Sequence, residues 1–213
     1  IEFILRDGTR RSYSMANAPH TLVESGAPMV DLHLRHMPGG KFTDPVFSAM
    51  KEKEILRIEG PYGSFHLQDD SPKPIVFLAS GTGFAPIKAI IEHMQFMGIT
   101  REAVLYWGGR RPQDLYRDAW VRGKLLERPH LKYVPVVSDA LPEDEWRGRT
   151  GFVHQAVLQD LPDLSGHQVY ACGAPIVVDS ARKDYVEKAG LPSEEFYADA
   201  FTSEADKTHT ISD

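Results

Sequence analysis

The second part of the chain alternates apolar runs with amphipathic stretches. Five runs are apolar enough to predict buried strands, over residues 75–79, 103–107, 131–137, 168–171 and 196–201. Between them, apolar residues recur three and four positions apart, which predicts helices over residues 87–97, 114–126, 154–161 and 176–188. Strands that alternate with helices are typical of a parallel sheet covered by crossover helices. We therefore predict a parallel five-stranded α/β nucleotide-binding domain over residues 75–213.

The first part of the chain has a different pattern. Residues 1–67 contain short runs of strand character, and the clearest of them, residues 30–37, alternates apolar with polar positions. Glycine and proline pairs separate these runs, as expected of turns. The pattern predicts a small antiparallel β-barrel or sandwich without long helices. Residues 68–74, QDDSPKP, are polar and broken by proline, which predicts a linker.

Composition narrows the class of protein. A chain of 213 residues with 42% hydrophobic content can bury two cores. The net charge of −6, without a basic run, argues against nucleic acid and against an anionic membrane surface as partners. No apolar stretch approaches the ~20 residues that span a bilayer, so we expect a soluble, cytoplasmic protein. Because Ile1 is not an initiator methionine and begins a predicted strand, we expect this chain to be a fragment of a longer polypeptide.

The single cysteine, Cys172, limits the metal chemistry of the chain. It excludes an internal disulfide, a four-cysteine zinc site and an iron–sulfur cluster held by this chain alone, and we predict no metal site. None of the nine histidines is spaced as a recognisable partner for a thiolate nucleophile. The residues themselves therefore predict that Cys172 is a packed thiol.

The stretch SGTGFAP, residues 80–86, follows the first apolar strand and opens a helix. Gly81 and Gly83 can adopt positive φ and leave backbone N–H groups uncovered, and a helix N-terminus attracts phosphate. Pro86 suits the first helical turn, where its missing N–H costs nothing. Many α/β units turn the corner in this way without a ligand, and the third glycine of the G-x-G-x-x-G fingerprint is absent. Both interpretations, a phosphate site and a simple turn, stay open on this stretch alone.

Ligands of such sheets bind beyond the carboxyl ends of the strands. Arg110 and Arg111 follow the second strand, where a dinucleotide fold commonly sets an acid on the ribose diol or a cation on a 2′-phosphate. The pair favours a phosphate, but two ordinary solvent-exposed arginines would explain the sequence equally well. Cys172 and Gly173 follow the fourth strand.

Two groups in the first part have suitable chemistry for a flavin nucleotide. Arg11 and Tyr13 share one side of an extended segment, with Ser14 beside them, and offer a phosphate-binding fork, a flat ring and a hydroxyl. The loop Gly39-Gly40-Lys41-Phe42-Thr43 offers backbone donors, a cation and a hydroxyl for a phosphate. Ordinary barrel surface and an ordinary glycine turn explain the same residues.

The order of these motifs is more specific than any one of them. RSYS, GGKFT, GPYGSF, GTGFAP, GGRRPQDLY, ACGAP and FYADAF follow one another from near Ile1 to Phe201. In this order they resemble the ferredoxin–NADP reductase superfamily, most of all the NAD(P)H-dependent flavin reductase components of bacterial oxygenases and of deoxysugar dehydrase reductases.

The resemblance implies a set of flavin contacts in the first domain. In that family the R-x-Y-S element holds FAD, which implies that Arg11 lies on the pyrophosphate, Tyr13 against the isoalloxazine ring and Ser14 near N5. His33, Leu34 and Arg35 would follow the ribityl and adenosine part. The FAD phosphates would be held by Gly40, Lys41, Phe42 and Thr43.

It also implies contacts for the pyridine nucleotide. Cys172 and Gly173 would border the nicotinamide, and Phe201 would cover the flavin face that the nicotinamide must reach. This makes Ser14, Cys172 and Phe201 the catalytic candidates, with Cys172 in a positioning role. The coenzyme phosphates would be held by Gly81, Thr82, Gly83, Ala85 and Pro86, with Arg110 and Arg111 nearby.

The activity implied by the resemblance is hydride transfer from NAD(P)H to FAD, followed by single-electron transfer to a ferredoxin-type iron–sulfur domain or an oxygenase component. NADH is the slightly preferred coenzyme, with NADPH possible. A 2Fe–2S cluster would belong to a missing or separate domain, and the family's barrel has further strands before the R-x-Y-S segment. The alternatives are a free-flavin or ferric-chelate reductase and a non-catalytic electron-transfer subunit.

Overall fold

The first part of the chain forms a small antiparallel sheet. The computed structural model describes residues 1–24, 26 and 28–202. Strands β1 (Glu2–Ile4), β2 (Arg10–Ser12) and β3 (Arg57–Glu59) are joined in the order β2-β1-β3. The only helices described here are short, α1 (Thr21–Glu24) and α2 (Thr43–Ser48). The prediction of short antiparallel strands without long helices is confirmed, and the three strands form an open sheet.

The predicted strand over residues 30–37 is wrong. Among the described residues of this segment, only Leu32 forms an isolated antiparallel bridge, to Met15. Asp31 instead donates its N–H to the Asn17 side chain and accepts from the N–H of Ala16. These loop contacts satisfy backbone groups that a ladder would otherwise pair.

The second part forms a parallel sheet of six strands. Their order is β7-β6-β5-β4-β8-β9, and every described pairing in this sheet is parallel. The strands are β4 (Ile75–Ser80), β5 (Ala103–Gly109), β6 (Leu131–Val137), β7 (Arg149–Thr150), β8 (Gln168–Gly173) and β9 (Phe196–Ala200). The parallel α/β prediction is confirmed, but its count of five strands is wrong. The sequence pattern does not show β7 because it has only two residues, Arg149 and Thr150, which pair with the end of β6.

Four longer helices cover both faces of this sheet, and the alternation of residues along the strands explains how. On β4, Phe77 belongs to the core on one face, whereas Val76 and Leu78 belong to the core on the other. The first core also contains residues of α3 (Phe84–Phe96) and α4 (Asp118–Glu127), and the second contains residues of α5 (Val153–Asp160) and α6 (Pro175–Ala189). Within the described residues, no helix is long and apolar enough to cross a membrane.

The side chain of Arg101 connects residues 68–73 to the amino end of the parallel sheet. Its guanidinium donates to the carbonyl oxygen of Gln68 at 2.9 Å, to that of Lys73 at 2.8 and 2.6 Å, and to Gln168 Oε1 at 2.7 Å. Gln168 is itself buried and donates to Glu195 Oε2 at 2.8 Å. The Arg101 cation therefore satisfies acceptors from two segments that are distant in sequence from each other and from Arg101.

We expect Arg101→Met to lower the free energy of unfolding by about 2–4 kcal/mol, because it leaves partly buried acceptors without a donor. Lys188→Met is the matched control, since Lys188 pairs with Asp184 on an exposed helix face and its loss is worth about 0.5 kcal/mol. Urea unfolding of both variants measures the difference. Equal losses would show that the Arg101 network adds nothing to stability.

Candidate functional site

A cleft with a volume of about 1040 Å³ opens at the carboxyl edge of the parallel sheet. Its lining comes from the ends of β4, β5 and β6, the segment that follows β5, the amino-terminal parts of α5 and α6, and one segment of the first domain. These residues are His33, Leu34, Arg35, Ser80, Gly81, Thr82, Gly108, Gly109, Arg110, Gln113, Asp114, Tyr116, Arg117, Ser138, Asp139, Gly151, Phe152, Val153, His154, Gln155, Ala174, Ile176, Val177 and Ser180. Clefts at this edge of an open α/β sheet are where such folds bind nucleotides. The volume also suits a ligand of coenzyme size.

The glycine turn after β4 forms one wall of the cleft. Residues Gly81–Gly83 form a single 3-10 turn, and α3 begins directly after it at Phe84. Gly81 has φ +54° and open space where a Cβ would stand, so its backbone is accessible to a ligand. Ala85 and Pro86 are buried in the first turn of α3, so their side chains pack inward. Their part in coenzyme binding stays a prediction.

Two glycines bring the turns after β4 and β8 into backbone contact. A Cβ on Gly83 would stand 2.1 Å from the carbonyl oxygen of Cys172. A Cβ on Gly173, where φ is +128°, would stand 2.3 Å from the carbonyl oxygen of Ser80. Neither position has room for a side chain. The two predicted nucleotide-binding motifs are therefore in direct contact.

An aromatic group connects the cleft to the first domain. Phe84 stacks on Trp107 with ring centroids 4.1 Å apart, and Trp107 Nε1 donates to the carbonyl oxygen of Gly81 at 3.0 Å. Tyr116 meets Trp107 edge-on, and its hydroxyl lies 2.7 Å from His33 Nδ1. Burial, together with nearby Lys88 and Arg117, lowers the pKa of His33 to about 4. His33 is therefore neutral at pH 7.

The three predicted catalytic residues lie together at the ends of β8 and β9, with Asp199 between Ser14 and Cys172. Asp199 stands opposite Cys172 in the parallel register, and Ser14 Oγ of the first domain donates to Asp199 Oδ2 at 2.5 Å. Burial first, and then the Asp199 carboxylate, raises the pKa of the Cys172 thiol well above its usual value. Phe201 continues the strand and donates its N–H to the carbonyl oxygen of Gly173 at 2.8 Å. The catalytic candidates Ser14, Cys172 and Phe201 are thus brought together.

Sequence reasoning missed Asp199. It is the only charged residue in the closing run FYADAF, and the signal that would have found it is the pairing of that run with residues 168–173, which the sequence pattern does not predict. The apolar pattern of the sequence does not predict the register of this pairing, and the register is what sets Asp199 beside Cys172.

The flavin candidates of the first domain form two adjoining groups. The ring of Tyr13 packs on that of Phe42 at 5.2 Å, and Phe42 stacks on Phe3 at 4.5 Å, so Phe42 is buried. Burial raises the pKa of Tyr13 and keeps its hydroxyl neutral. Arg11 Nη1 donates to the carbonyl oxygen of Arg10 at 2.8 Å.

The predicted phosphate loop is closed by its own threonine. Thr43 Oγ1 donates to the carbonyl oxygen of Met37 at 3.0 Å, and a Cβ on Gly40 would stand 2.3 Å from that hydroxyl. Lys41 Nζ pairs with Asp7 Oδ2 at 2.9 Å on the surface. In this arrangement the Thr43 hydroxyl and the Lys41 ammonium already have protein partners. Their contact with FAD phosphates stays a prediction.

The two arginines after β5 have different surroundings. Arg110 lines the cleft, and 76% of its side chain is exposed. Arg111 is outside the cleft lining and makes a two-pronged pair with Asp144, through Nε and Nη2, each at 2.7 Å. This pairing lowers the pKa of Asp144 and raises that of Arg111.

The residues of both parts fit nucleotide cofactors. The cleft has a bare glycine turn, hydroxyls and a cation at the positions where a dinucleotide fold holds coenzyme phosphates and ribose. His33, Leu34 and Arg35 extend the same cleft into the first domain. Sheet, turn and cleft together define a nucleotide-binding α/β architecture with a small β domain packed at its carboxyl edge.

Comparison with known families agrees with this class. Residues 3–67 match the family described as the oxidoreductase FAD-binding domain, and residues 77–183 match the oxidoreductase NAD-binding domain. The chain belongs to the ferredoxin–NADP reductase superfamily, with one FAD-binding and one NAD-binding domain.

Individual relatives support the assignment. The chain is 42% identical over 201 residues to a CDP-6-deoxy-L-threo-D-glycero-4-hexulose-3-dehydrase reductase of Yersinia pestis, covering 93% of this chain and 57% of the relative. It is 36% identical over 207 residues to a terephthalate 1,2-dioxygenase reductase component of a Comamonas species, covering 96% and 59%. The chain thus spans less than two thirds of either relative.

Solved structures have the same fold. The Amycolatopsis cytochrome P450 reductase GcoB superposes with a TM-score of 0.83 at 30% identity, covering 95% of this chain and 60% of that one. A ferredoxin NADP+ reductase from Neisseria gonorrhoeae, with bound FAD and NADP, has a TM-score of 0.75 at 17% identity and shows the fold alone.

The lowered pKa of His33 predicts a pH dependence of stability. In the unfolded chain His33 binds a proton below its usual pKa of 6.5, whereas in the folded chain it stays neutral down to about pH 4. The unfolded state therefore binds more protons between these two values, and the stability of the fold falls as the pH falls through this window. After discounting for the partial exposure of the ring, we expect His33 to account for about 1–2 kcal/mol of the loss between about pH 7.5 and about pH 4.5.

His33→Gln should reduce that loss by the same amount, while an amide can still meet the Tyr116 hydroxyl. Urea unfolding of both proteins at the two pH values measures it. If His33→Gln loses as much free energy of unfolding between the two pH values as wild type does, the lowered pKa of His33 is contradicted.

Proposed function

We propose that this chain is the reductase part of an electron-transfer enzyme, which takes a hydride from NAD(P)H and passes electrons singly to an iron–sulfur domain or protein. The observation that carries the proposal is the hydrogen bond from Ser14 to Asp199 beside Cys172. It joins the flavin-binding segment to the edge of the nucleotide-binding sheet, where the two cofactors have to meet.

The two cofactors supply the redox chemistry when bound: the pyridine nucleotide provides the hydride, and FAD accepts it and releases electrons one at a time. The chain's part is to orient them and to keep water away. Asp199 accepts the hydrogen of the Ser14 hydroxyl, which fixes the Ser14 oxygen at the junction of the domains. Buried Cys172 stays a neutral thiol and serves as a packing surface, not as a nucleophile.

Phe201 and Gly173 lie where the first domain meets the edge of the parallel sheet. The N–H of Phe201 is held by the Gly173 carbonyl, so the ring follows directly from the end of β9. We propose that this ring would cover the face of a bound flavin that the nicotinamide must reach. Tyr13, supported by Phe42, offers a flat face on the first domain.

The names of the relatives support the choice of electron acceptor. They are a dehydrase reductase and the reductase component of a dioxygenase, and the superposed GcoB is a cytochrome P450 reductase. We propose a ferredoxin-type iron–sulfur domain or an oxygenase component as the partner of this chain. A cytoplasmic location remains a prediction from the sequence.

Anaerobic mixing of the FAD-reconstituted full-length protein with NADH and with NADPH tests the proposal. We expect the flavin absorption to bleach, and electrons to reach a ferredoxin-type acceptor faster than they reach free flavin or a ferric chelate. Bound flavin that neither coenzyme bleaches would identify a non-catalytic subunit. Faster transfer to free flavin or ferric chelates would move the protein to that class of reductase.

We expect Ser14→Ala to slow flavin reduction about tenfold while FAD affinity changes less than about threefold, because one hydrogen bond at the junction is worth about 1 kcal/mol and tightens as the hydride moves. Stopped-flow absorbance gives the rate, and fluorescence titration gives the affinity. Ser12→Ala is the control, since Ser12 Oγ contacts only the surface residue Glu2 in the described structure. Reduction of Ser14→Ala at the wild-type rate would contradict this role.

A further inference from the structure

Arg111 is a cation beside the nucleotide cleft that the protein itself neutralises. Its guanidinium is held by both oxygens of Asp144, and Glu143 Oε1 lies 3.9 Å away. Asp144 is 11% exposed and also accepts the backbone N–H of Leu141 at 2.9 Å. A two-pronged pair of this kind fixes the guanidinium in one direction. The lining of the cleft includes Arg110 but not Arg111.

The surroundings of the arginine pair are acidic. Asp114 Oδ2 accepts the backbone N–H groups of both Arg110 and Arg111, at 2.8 and 3.0 Å. Asp139 Oδ2 lies 3.5 Å from Arg110 Nε, and both Asp114 and Asp139 line the cleft. With Glu143 and Asp144, four carboxylates thus surround the arginine pair, Asp114 at its backbone and the other three at its guanidinium groups.

The charges around the arginine pair bear on the choice between the two coenzymes. The end of the second strand is where a dinucleotide fold distinguishes a ribose diol from a 2′-phosphate. A diol needs an acceptor such as a carboxylate, whereas a 2′-phosphate needs a free cation. Around the arginine pair the carboxylates are in excess, and Arg111 is engaged by Asp144. The other arginines of the cleft, Arg35 and Arg117, come from outside this pair.

We propose that Asp144 is a specificity-determining residue, which withholds Arg111 from the cleft and so makes the chain prefer NADH over NADPH. The inference rests on the proposed function, since it deepens the assignment of the same cleft. Asp144 acts through Arg111 without touching the coenzyme. Arg110 alone does not reverse the preference, because Asp139 beside it repels a second negative charge.

Binding of 5′-AMP and 2′,5′-ADP to the full chain tests this, because the two ligands differ only in the 2′-phosphate and neither reacts. We expect wild type to bind 5′-AMP at least as tightly as 2′,5′-ADP by isothermal titration calorimetry. Asp144→Asn keeps an acceptor for Leu141 but loses the charge that holds Arg111. In this variant we expect affinity for 2′,5′-ADP to rise about tenfold and affinity for 5′-AMP to change less than about twofold.

Glu143→Gln is the matched control, because it removes the same charge from the neighbouring residue without freeing Arg111. We expect it to raise 2′,5′-ADP affinity by less than about twofold. Adding Arg111→Gln to Asp144→Asn should return the affinity to the wild-type value, which ties the gain to the released guanidinium.

The proposal is overturned if wild type prefers 2′,5′-ADP, if Asp144→Asn changes nothing, or if Glu143→Gln matches it. Anaerobic flavin reduction by NADH and NADPH, measured on the same samples, separates the two proposals. If flavin is not reduced but the nucleotide preferences follow the expectation, the proposed function fails and the role of Asp144 stands. If both coenzymes reduce the flavin and Asp144→Asn does not change the nucleotide affinities, the proposed reductase function stands and the role of Asp144 is contradicted.

Discussion

The backbone contact between the turns after β4 and β8 is the constraint on which the site depends. Gly83 lies against the Cys172 carbonyl and Gly173 against the Ser80 carbonyl, with no room for a Cβ at either. Because β4 and β8 are neighbours in the centre of the sheet, this contact sets where α3 and α6 begin. The cleft opens from that edge, and Gly81 in the same turn keeps the positive φ that uncovers its backbone.

The first domain is attached at the same edge by polar and aromatic contacts. Lys88 of α3 is only 7% exposed, and its Nζ donates to the Ala16 carbonyl at 2.9 Å and to Glu92 Oε1 at 2.6 Å. Glu92 in turn accepts the N–H of Ala18 at 3.3 Å. A buried pair of this kind stabilises little by itself but is costly to break, so it fixes the relative position of the parts it joins. Together with Ser14–Asp199 and His33–Tyr116, it holds the first domain against the carboxyl edge of the parallel sheet.

Much of the second domain follows from local pattern. Strands such as residues 131–137 and helices such as α5 were predictable because apolar periodicity reports which side of an element is buried. Strand β7 was not predictable, since Arg149 and Thr150 carry no apolar signal and pair only because β6 presents an open edge. In the first domain, residues 30–37 have the alternation of a strand, but their backbone partners are loop residues.

The candidate site was predictable where a motif is local and not where it depends on register or pairing. The glycine turn and its helix could be identified from consecutive residues. Asp199 could not, because its meaning comes from standing opposite Cys172 and accepting from Ser14, far away in sequence. The same applies to Arg111, whose availability depends on Asp144 and not on its own position beside Arg110.

The free energy of unfolding of Gly83→Ala, measured beside that of Gly123→Ala, tests the central constraint most directly. The Cβ at residue 83 would stand 2.1 Å from a backbone oxygen, while a Cβ at residue 123, within α4, would meet nothing within 4 Å. We expect Gly83→Ala to lose about 2–4 kcal/mol and Gly123→Ala to gain about 0.5–1 kcal/mol from helix propensity. A Gly83→Ala protein as stable as wild type would contradict the account, since the two turns would then not need to touch.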